Sequence, residues 1–410
     1  MARTFADSSQ LPRPVVLSSV GLLAKQIPLS QVMTALATHG REGKRDRLLP
    51  APFVIYLIVA LSLYMPYALR EVLRCVTEGL RPMRAPGLPH LPIATKGAIS
   101  RARTRLGWEV MATLFALVTA PLATPKTRGA WYRGRRLVAL DGTTLATPAT
   151  DENIAAFGLH GSKEGASAFP LVRLAALVEV STHAILHVAF DACATSELSL
   201  AEQLLPALGP EMFLLEDRGF VGYAWWRQVR RTGVDVLCRV RSNMRFPVNQ
   251  PLADGSYLSV LRPPRGSGGD PITVRVIAYT LRGLPSAETT YRLVTSLLDP
   301  EGAPARELAA LYHERWEAEN TFDEFKTHVR GGAQVILRSK TPDLVKQEIY
   351  GLFLAHYTVR AVMHEAALQV DEDPDQLSFI HTIRVLRRKL PQAAALFSPE
   401  RVAMLDAGNH

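Results

Sequence analysis

Apolar residues fall along this chain in two rhythms. Up to about residue 120 they come in long blocks with helical spacing, and from Leu137 onward they come mostly as short runs closed by Gly, Asp or Ser. The first rhythm predicts helices over Gln31–His39, Phe53–Tyr64, Tyr67–Gly79 and Thr95–Leu106. The second predicts strands at Leu137–Leu140, Phe169–Val180, Ala184–Phe190, Met212–Leu215 and Val234–Val240, with Ser181–Thr182–His183 as a turn and His160–Ser167 as a glycine-bounded loop. Helices interleave with these strands at Ser196–Leu208, whose start carries a capping pattern, and at Tyr223–Arg231. Between Arg241 and Leu298, β-favouring runs alternate with turn signals such as Asp254-Gly255, which reads as a β-rich insertion. Helix returns from Arg306 to about Val329, where Gly331-Gly332 ends it, and again over Thr341–Val370 and Leu377–Leu390.

Leu48–Leu69 is a stretch of 22 residues without a charge, long enough to cross a bilayer. Pro50, Pro52 and Pro66 cut it to a continuous helix of about 13 residues, which fits a buried core helix. No membrane partner is expected, and Arg3, Asp7 and Arg13 interrupt any signal peptide. The chain has 410 residues, 48% of them hydrophobic, enough for more than one core. Its formal charge is +9; residues 1–130 hold 17 Lys and Arg against 6 Asp and Glu, a net of +11 that leaves −2 for the remainder. A basic N-terminal third favours a polyanionic partner. Three cysteines with no CxxC pair make a zinc site or disulfide framework a poor fit and suit a reducing cytoplasm.

The chemistry concentrates in LYHERWEAENTFDEFKTH. Tyr312, Arg315, Glu319 and Lys326 follow at steps of three, four and seven, so one continuous helix would carry all four on a single face. On its own such a face also suits a solvated helix with weak ion pairs. Two upstream acids favour a site. Asp141 follows the apolar run Leu137–Leu140, where Gly142 lets the chain turn, and Asp217 follows Met212–Leu215, with Gly219 after it. Each acid alone also reads as a turn cap. Together with Glu319 they form a three-carboxylate set of the kind a hard cation such as Mg²⁺ prefers. Glu314 and Glu317 face away on the expected helix, Asp323 is the nearest stand-in for Glu319, and Glu216 points to the other face of its strand.

The Tyr–Arg–Glu–Lys spacing, with DGT at Asp141 and DRGF at Asp217, resembles the signature of DDE transposases of the insertion sequence 4 family, and residues 15–365 are similar to that family. The resemblance implies an α/β fold: a ribonuclease H-like core interrupted by a β-rich insertion and preceded by an all-helical domain. Residues 1–126 would be the helical DNA-binding domain and 127–240 the first part of the core. Residues 241–305 would be the insertion, 306–370 the core's C-terminal helices, and 371–410 a helical tail. It implies cut-and-paste transposition, in which Asp141, Asp217 and Glu319 are catalytic and hold two Mg²⁺ ions, with Mn²⁺ as a substitute. The partners implied are double-stranded DNA (terminal inverted repeats and target) and a second copy of the chain, in the bacterial cytoplasm at the nucleoid. Tyr312, Arg315 and Lys326 would meet the DNA at the site. Arg101, Arg103 and Arg105 would meet it from a recognition helix, and Arg239 and Arg241 along its backbone. A two-metal nuclease or resolvase on the same fold and an inactive DNA-binding relative are the alternatives. The insertion lacks Trp, so no residue among Phe246, Tyr257, Tyr279 and Tyr291 is assigned a base-holding role.

Overall fold

The computed structural model describes residues 21–43, 49–65, 67–78, 94–162, 165–266, 268–280, 291–315, 321–329 and 335–389. Helices come first: α1 (Gly21–Gln26), α2 (Leu29–Thr38), α3 (Ala51–Leu63), α4 (Leu69–Glu78), α5 (Lys96–Leu106) and α6 (Glu109–Val118). The expected 13-residue apolar helix is α3, and it is buried nearly all round. A helix apolar on every side must be covered on every side. Here the cover includes the long helix α11 (Pro342–Val370), whose Gly351 lies so close to α3 that a Cβ there would reach Ile58 Cγ2 at 2.6 Å. Among the described residues no helix is long and apolar enough to cross a membrane.

The strands form one mixed sheet. β1 (Trp131–Tyr132) and β2 (Arg135–Ala146) make a hairpin; the helix α7 (Asp151–Phe157), β3 (Leu159–Ser162), β4 (Gly165–Glu179) and β5 (Ile185–Ala192) follow. The loop expected over His160–Ser167 thus contains strand pairing between β3 and β4. Next come α8 (Glu197–Glu202), β6 (Met212–Glu216), α9 (Tyr223–Arg231) and β7 (Asp235–Arg239). β5, β4 and β2 pair antiparallel, and β2, β6 and β7 pair parallel. β8 (Gln250–Pro251), β9 (Tyr257–Leu261), β10 (Ile272–Tyr279) and β11 (Tyr291–Thr295) form the β-rich stretch after β7, and β11 pairs with β7, so these strands extend the same sheet. α10 (Ala305–His313), α11 and α12 (Phe379–Lys389) complete the chain.

Both faces of the sheet are covered, and β4 shows how its sequence allows this. Val172, Leu174, Ala176 and Val178 join the core that contains the N-terminal helices and α11, while Ala175 and Leu177 join the core under α8 and α9. A strand buried on both sides reads as a continuous apolar run because the period-two alternation has no polar side to reveal it.

Candidate active site

The parallel register of β2 on β6 runs from Arg136 opposite Met212 to Leu140 opposite Glu216. Asp141 is the next residue of β2 and Asp217 the first residue past β6, so the sheet itself brings two acids from distant parts of the chain close together. β6 ends there, as expected. β2 does not: Asp141 lies within a 12-residue strand and pairs with Ala176 of β4, so Gly142 makes no turn. What changes at Asp141 is burial. Leu137–Leu140 are fully covered, and the next three residues are only half-covered as the strand leaves the two cores. The Asp141 carboxylate accepts from the Gly142 N–H at 2.8 Å. The Asp217 side chain makes no hydrogen bond or ion pair among the described residues, whereas its backbone carbonyl accepts from Cys238 Sγ at 3.2 Å.

Another carboxylate approaches β2 at Gly142, from the face of the sheet that carries α8, and it escaped the sequence reading. Glu197 opens α8 behind the N-cap Ser196. Its carboxyl group lies against the Gly142 backbone, where a Cβ would come within 2.8 Å of Glu197 Cδ. Burial first, then the charge of Asp141, raises its pKa; the Asp217 charge adds to this and Arg173 works against it. The only sequence signal available was a glycine inside a strand, which marks close approach as readily as a turn.

Tyr312 and Arg315 are both buried, so neither lies on an open helical face. The Tyr312 hydroxyl donates to the Glu216 carbonyl at 3.1 Å, which ties α10 to the residue before Asp217. Burial raises the Tyr312 pKa; the Arg315 charge opposes this, and Cys238 and Asp217 add to it. α10 stops at His313 and residues 314–315 form a turn, so the expected single helix through Val329 does not exist as such. Glu319 lies outside the described residues, as does Trp316. Residues Glu324–Val329 are wound as a π-helix; Lys326 belongs to it, but its side chain lies outside the described part. Asp323, the stand-in acid, is exposed and accepts from Thr327 at 2.9 Å. Glu216 faces the opposite side of β6, as the strand period requires. It is fully buried, accepts from Trp225 Nε1 at 2.7 Å, and has its pKa pushed up to about 8 by burial, against the pull of that hydrogen bond.

The exit of β7 is basic. Arg218, Arg239 and Arg241 line a cleft of about 460 Å³ with Val240, Ser242 and Asn243, directly after Asp217 in the chain and at the end of the neighbouring strand. The Arg239 guanidinium sits 4.6 Å from the ring centre of Tyr291, which stacks on Tyr279 at 5.6 Å. Farther away, α5 turns Arg101 and Arg105 to solvent but buries Arg103. Arg103 donates to Gln347 at 2.9 Å, to Ser339 at 3.0 Å and to the Leu344 carbonyl at 3.1 Å, which takes it out of a DNA-facing surface. The reason is helical phase: Ile99, Ala102, Arg103 and Leu106 make the inward stripe of α5.

Among the described residues no three Asp, Glu, His or Cys groups gather closely enough to hold one ion. Asp141 and Asp217 supply two hard oxygen donors at adjacent positions, a donor type that fits a divalent cation of the Mg²⁺ class, and the position expected to supply the third lies among the undescribed residues.

Residues 132–357 match the family model for the transposase DDE domain, and residues 17–116 match that for the insertion element 4 transposase N-terminal region. The chain is 29% identical over 371 residues, 88% of its length and 80% of the relative's, to the transposase InsG for insertion sequence element IS4 of Escherichia coli K12. It is 25% identical over 217 residues, 53% of its length and 68% of the relative's, to the putative transposase InsZ of the same organism. Among solved structures it is similar to the piggyBac transposase synaptic complex with hairpin DNA, at 12% identity and a TM-score of 0.47, over 97% of this chain and 86% of that one.

Proposed function

This chain belongs to the DDE transposases of the insertion sequence 4 family, enzymes that cleave DNA and transfer its strands, and on that premise we propose that Asp141, Asp217 and Glu319 are the three acids of its active site. The observation that carries the assignment is the β2–β6 register, which sets the first two acids at neighbouring positions on a parallel pair. The strand order β5-β4-β2-β6-β7, with the first three antiparallel and the last three parallel, supports a ribonuclease H-like core. Divalent cations held by these acids, two Mg²⁺ in our reading with Mn²⁺ as a substitute, would supply a water of lowered pKa and charge stabilisation for the leaving oxygen.

The chain's own residues do the rest. The water oxygen bonds to phosphorus at a transposon end as the bond to the 3′ oxygen breaks, leaving a 5′-phosphate and a 3′-OH; that 3′-OH later bonds to a phosphorus of target DNA as the target's own 3′ oxygen leaves. Arg218, Arg239 and Arg241 line the cleft beside Asp217 and take the phosphates of the strand that enters. Tyr312 acts from beneath, fixing the backbone before Asp217, with Arg315 buried close to it. Arg101 and Arg105, both solvent-facing on α5, contact the DNA backbone at a distance from the chemistry. The terminal inverted repeats of the element are the first substrate, and two copies of the chain act together on two ends.

The test is an assay on duplex DNA that carries the element's terminal repeats. Mg²⁺-dependent cleavage at the repeat end, followed by joining of the new 3′ end to a second duplex, is the expected result. Cleavage without joining would leave a nuclease in place of a transposase.

A further inference from the structure

Residues 371–389 take no part in the chemistry proposed above, yet their side chains close over Glu324 of the π-helix and its partners. Arg360 of α11 holds both Glu324 oxygens, with Nε at 2.9 Å from one of them. From the segment before α12, Asp375 Oδ1 stands 3.0 Å from His183 Nε2, and the other ring nitrogen of His183 meets the Arg360 guanidinium. From α12 itself, the Phe379 ring lies 5.4 Å from the Arg360 guanidinium and stacks on His356 at 5.5 Å. Both ends of the stretch are fastened. Arg128 donates to Asp371 at 2.9 Å, and Arg387 donates to the Leu63 carbonyl while its own carbonyl accepts from the Tyr64 hydroxyl.

The second observation is backbone strain. His183, in the turn between β4 and β5, has φ at 55°, one of three positive-φ residues other than glycine among those described. Left-handed backbone disfavours a side chain, and glycine would make this turn without strain. The turn therefore keeps a histidine for what its ring reaches, and that ring is buried between Arg360 and Asp375. The π-helix so tied belongs to a short inward-packed run: Thr321, Phe322 and Phe325 are buried, and Phe325 stacks on Phe353 of α11 at 4.9 Å. In the chain Glu319 precedes this run by two residues, and Lys326 lies within it. A π-wound segment is rare and recurs at functional sites.

We propose that residues 371–389 are a clasp for the catalytic segment. Asp375 is a positioning residue that, through His183 and Arg360, fixes Glu324 and with it the run of chain that leads from Glu319 to Lys326. The inference rests on the assignment of Glu319 made above.

The experiment couples hydrogen exchange of the full-length protein with Mg²⁺-dependent cleavage of repeat DNA. Asp375→Ala should speed exchange over residues 321–329 about tenfold, while the peptide over β6 exchanges as in the parent. The cleavage rate at saturating DNA should fall roughly tenfold to a hundredfold, the scale of a displaced catalytic group, with the half-saturating DNA concentration unchanged. His183→Gly relieves the backbone and removes the ring. It should have the same effects, and the double variant should add little, because both changes break one connection. Exchange over 321–329 that stays at the parent's rate in Asp375→Ala would overturn the clasp, as would a His183→Gly variant that behaves like the parent. Faster exchange with an unchanged cleavage rate would overturn the positioning role. Asp217→Ala keeps the premise separate: if it cleaves like the parent, the three-acid reading is wrong, and the exchange result alone then judges the clasp.

Discussion

Two regions of this protein gather carboxylates away from bulk water, and they are built in opposite ways. Around Glu324 on the π-helix, basic side chains surround the acid: Arg360 grips both its oxygens, His183 Nδ1 stands at 3.5 Å and His356 Nε2 at 3.6 Å. His183 in turn meets Asp375 at 3.0 Å, so the β4–β5 turn, the π-helix, α11 and the segment before α12 are tied at one point. Around Asp217 and Glu197 the described residues supply no ion pair. The difference separates an acid that holds the fold from one to which the proposed function gives a chemical role. A compensated buried acid is part of the scaffold. An acid without an ion pair among the described residues, as Asp217 is, suits the cation-binding role proposed for it.

That contrast breaks most sharply under substitution. Asp217→Ala should abolish cleavage, a loss of several kcal/mol of transition-state stabilisation or roughly 10³-fold or more, while filter binding to repeat DNA and the melting temperature hold. The opposite pattern is expected at the compensated cluster. Arg360→Met leaves Glu324 buried without its main partner and should cost about 3–5 kcal/mol in denaturant unfolding.

The acid limb of stability sharpens the same point. Burial alone would raise the Glu324 pKa, but the nearby imidazoles of His183 and His356 and the charge of Arg360 outweigh it and hold the carboxyl below its ordinary value. A folded-state pKa below the unfolded one adds stability above the unfolded value, about 4.3, and that stability is lost as the pH falls beneath it. The stability gap between the parent protein and Glu324→Gln should therefore be widest near neutral pH and close as the pH drops through about 4; a gap that widens in acid would contradict the pairing.

Smaller effects distinguish the arginines of α5. Arg103→Met should cost about 2 kcal/mol, because Gln347 and Ser339 lose a charged donor. Arg101→Ala should leave stability alone, weaken DNA binding across sequences and lower the salt slope by roughly one. Of the substitutions that lower stability, the smallest change is expected of Tyr312→Phe, about 1–2 kcal/mol from leaving the Glu216 carbonyl unmatched.

The strand acids were legible in the sequence because the feature that places them is local. A run buried on both faces announces its end by its first polar residues, which led to Asp141 directly and to Asp217 one position after Glu216, even though the turn at Gly142 was misjudged. The helix near residue 312 was legible as chemistry but not as geometry. Angular phase carries only through an unbroken helix, and α10 ends at His313 with a turn at 314–315; residues 321–323 are helical and run into the π-wound Glu324–Val329. Tyr312 and Arg315 accordingly pack inward instead of presenting a face. Arg103 could have been sorted from Arg101 and Arg105 by the apolar stripe it shares with Ile99, Ala102 and Leu106. Glu197 could not have been found, since nothing local records which distant side chain a strand glycine admits.

The most direct test of the central claim replaces the proposed cation with Fe²⁺ in the full-length protein and maps hydroxyl-radical cuts in the polypeptide. Cuts clustered beside residues 141, 217 and 319, and lost together in Asp217→Ala, are the predicted result. Cuts that spare any of these three segments, or that survive the substitution unchanged, would contradict the account.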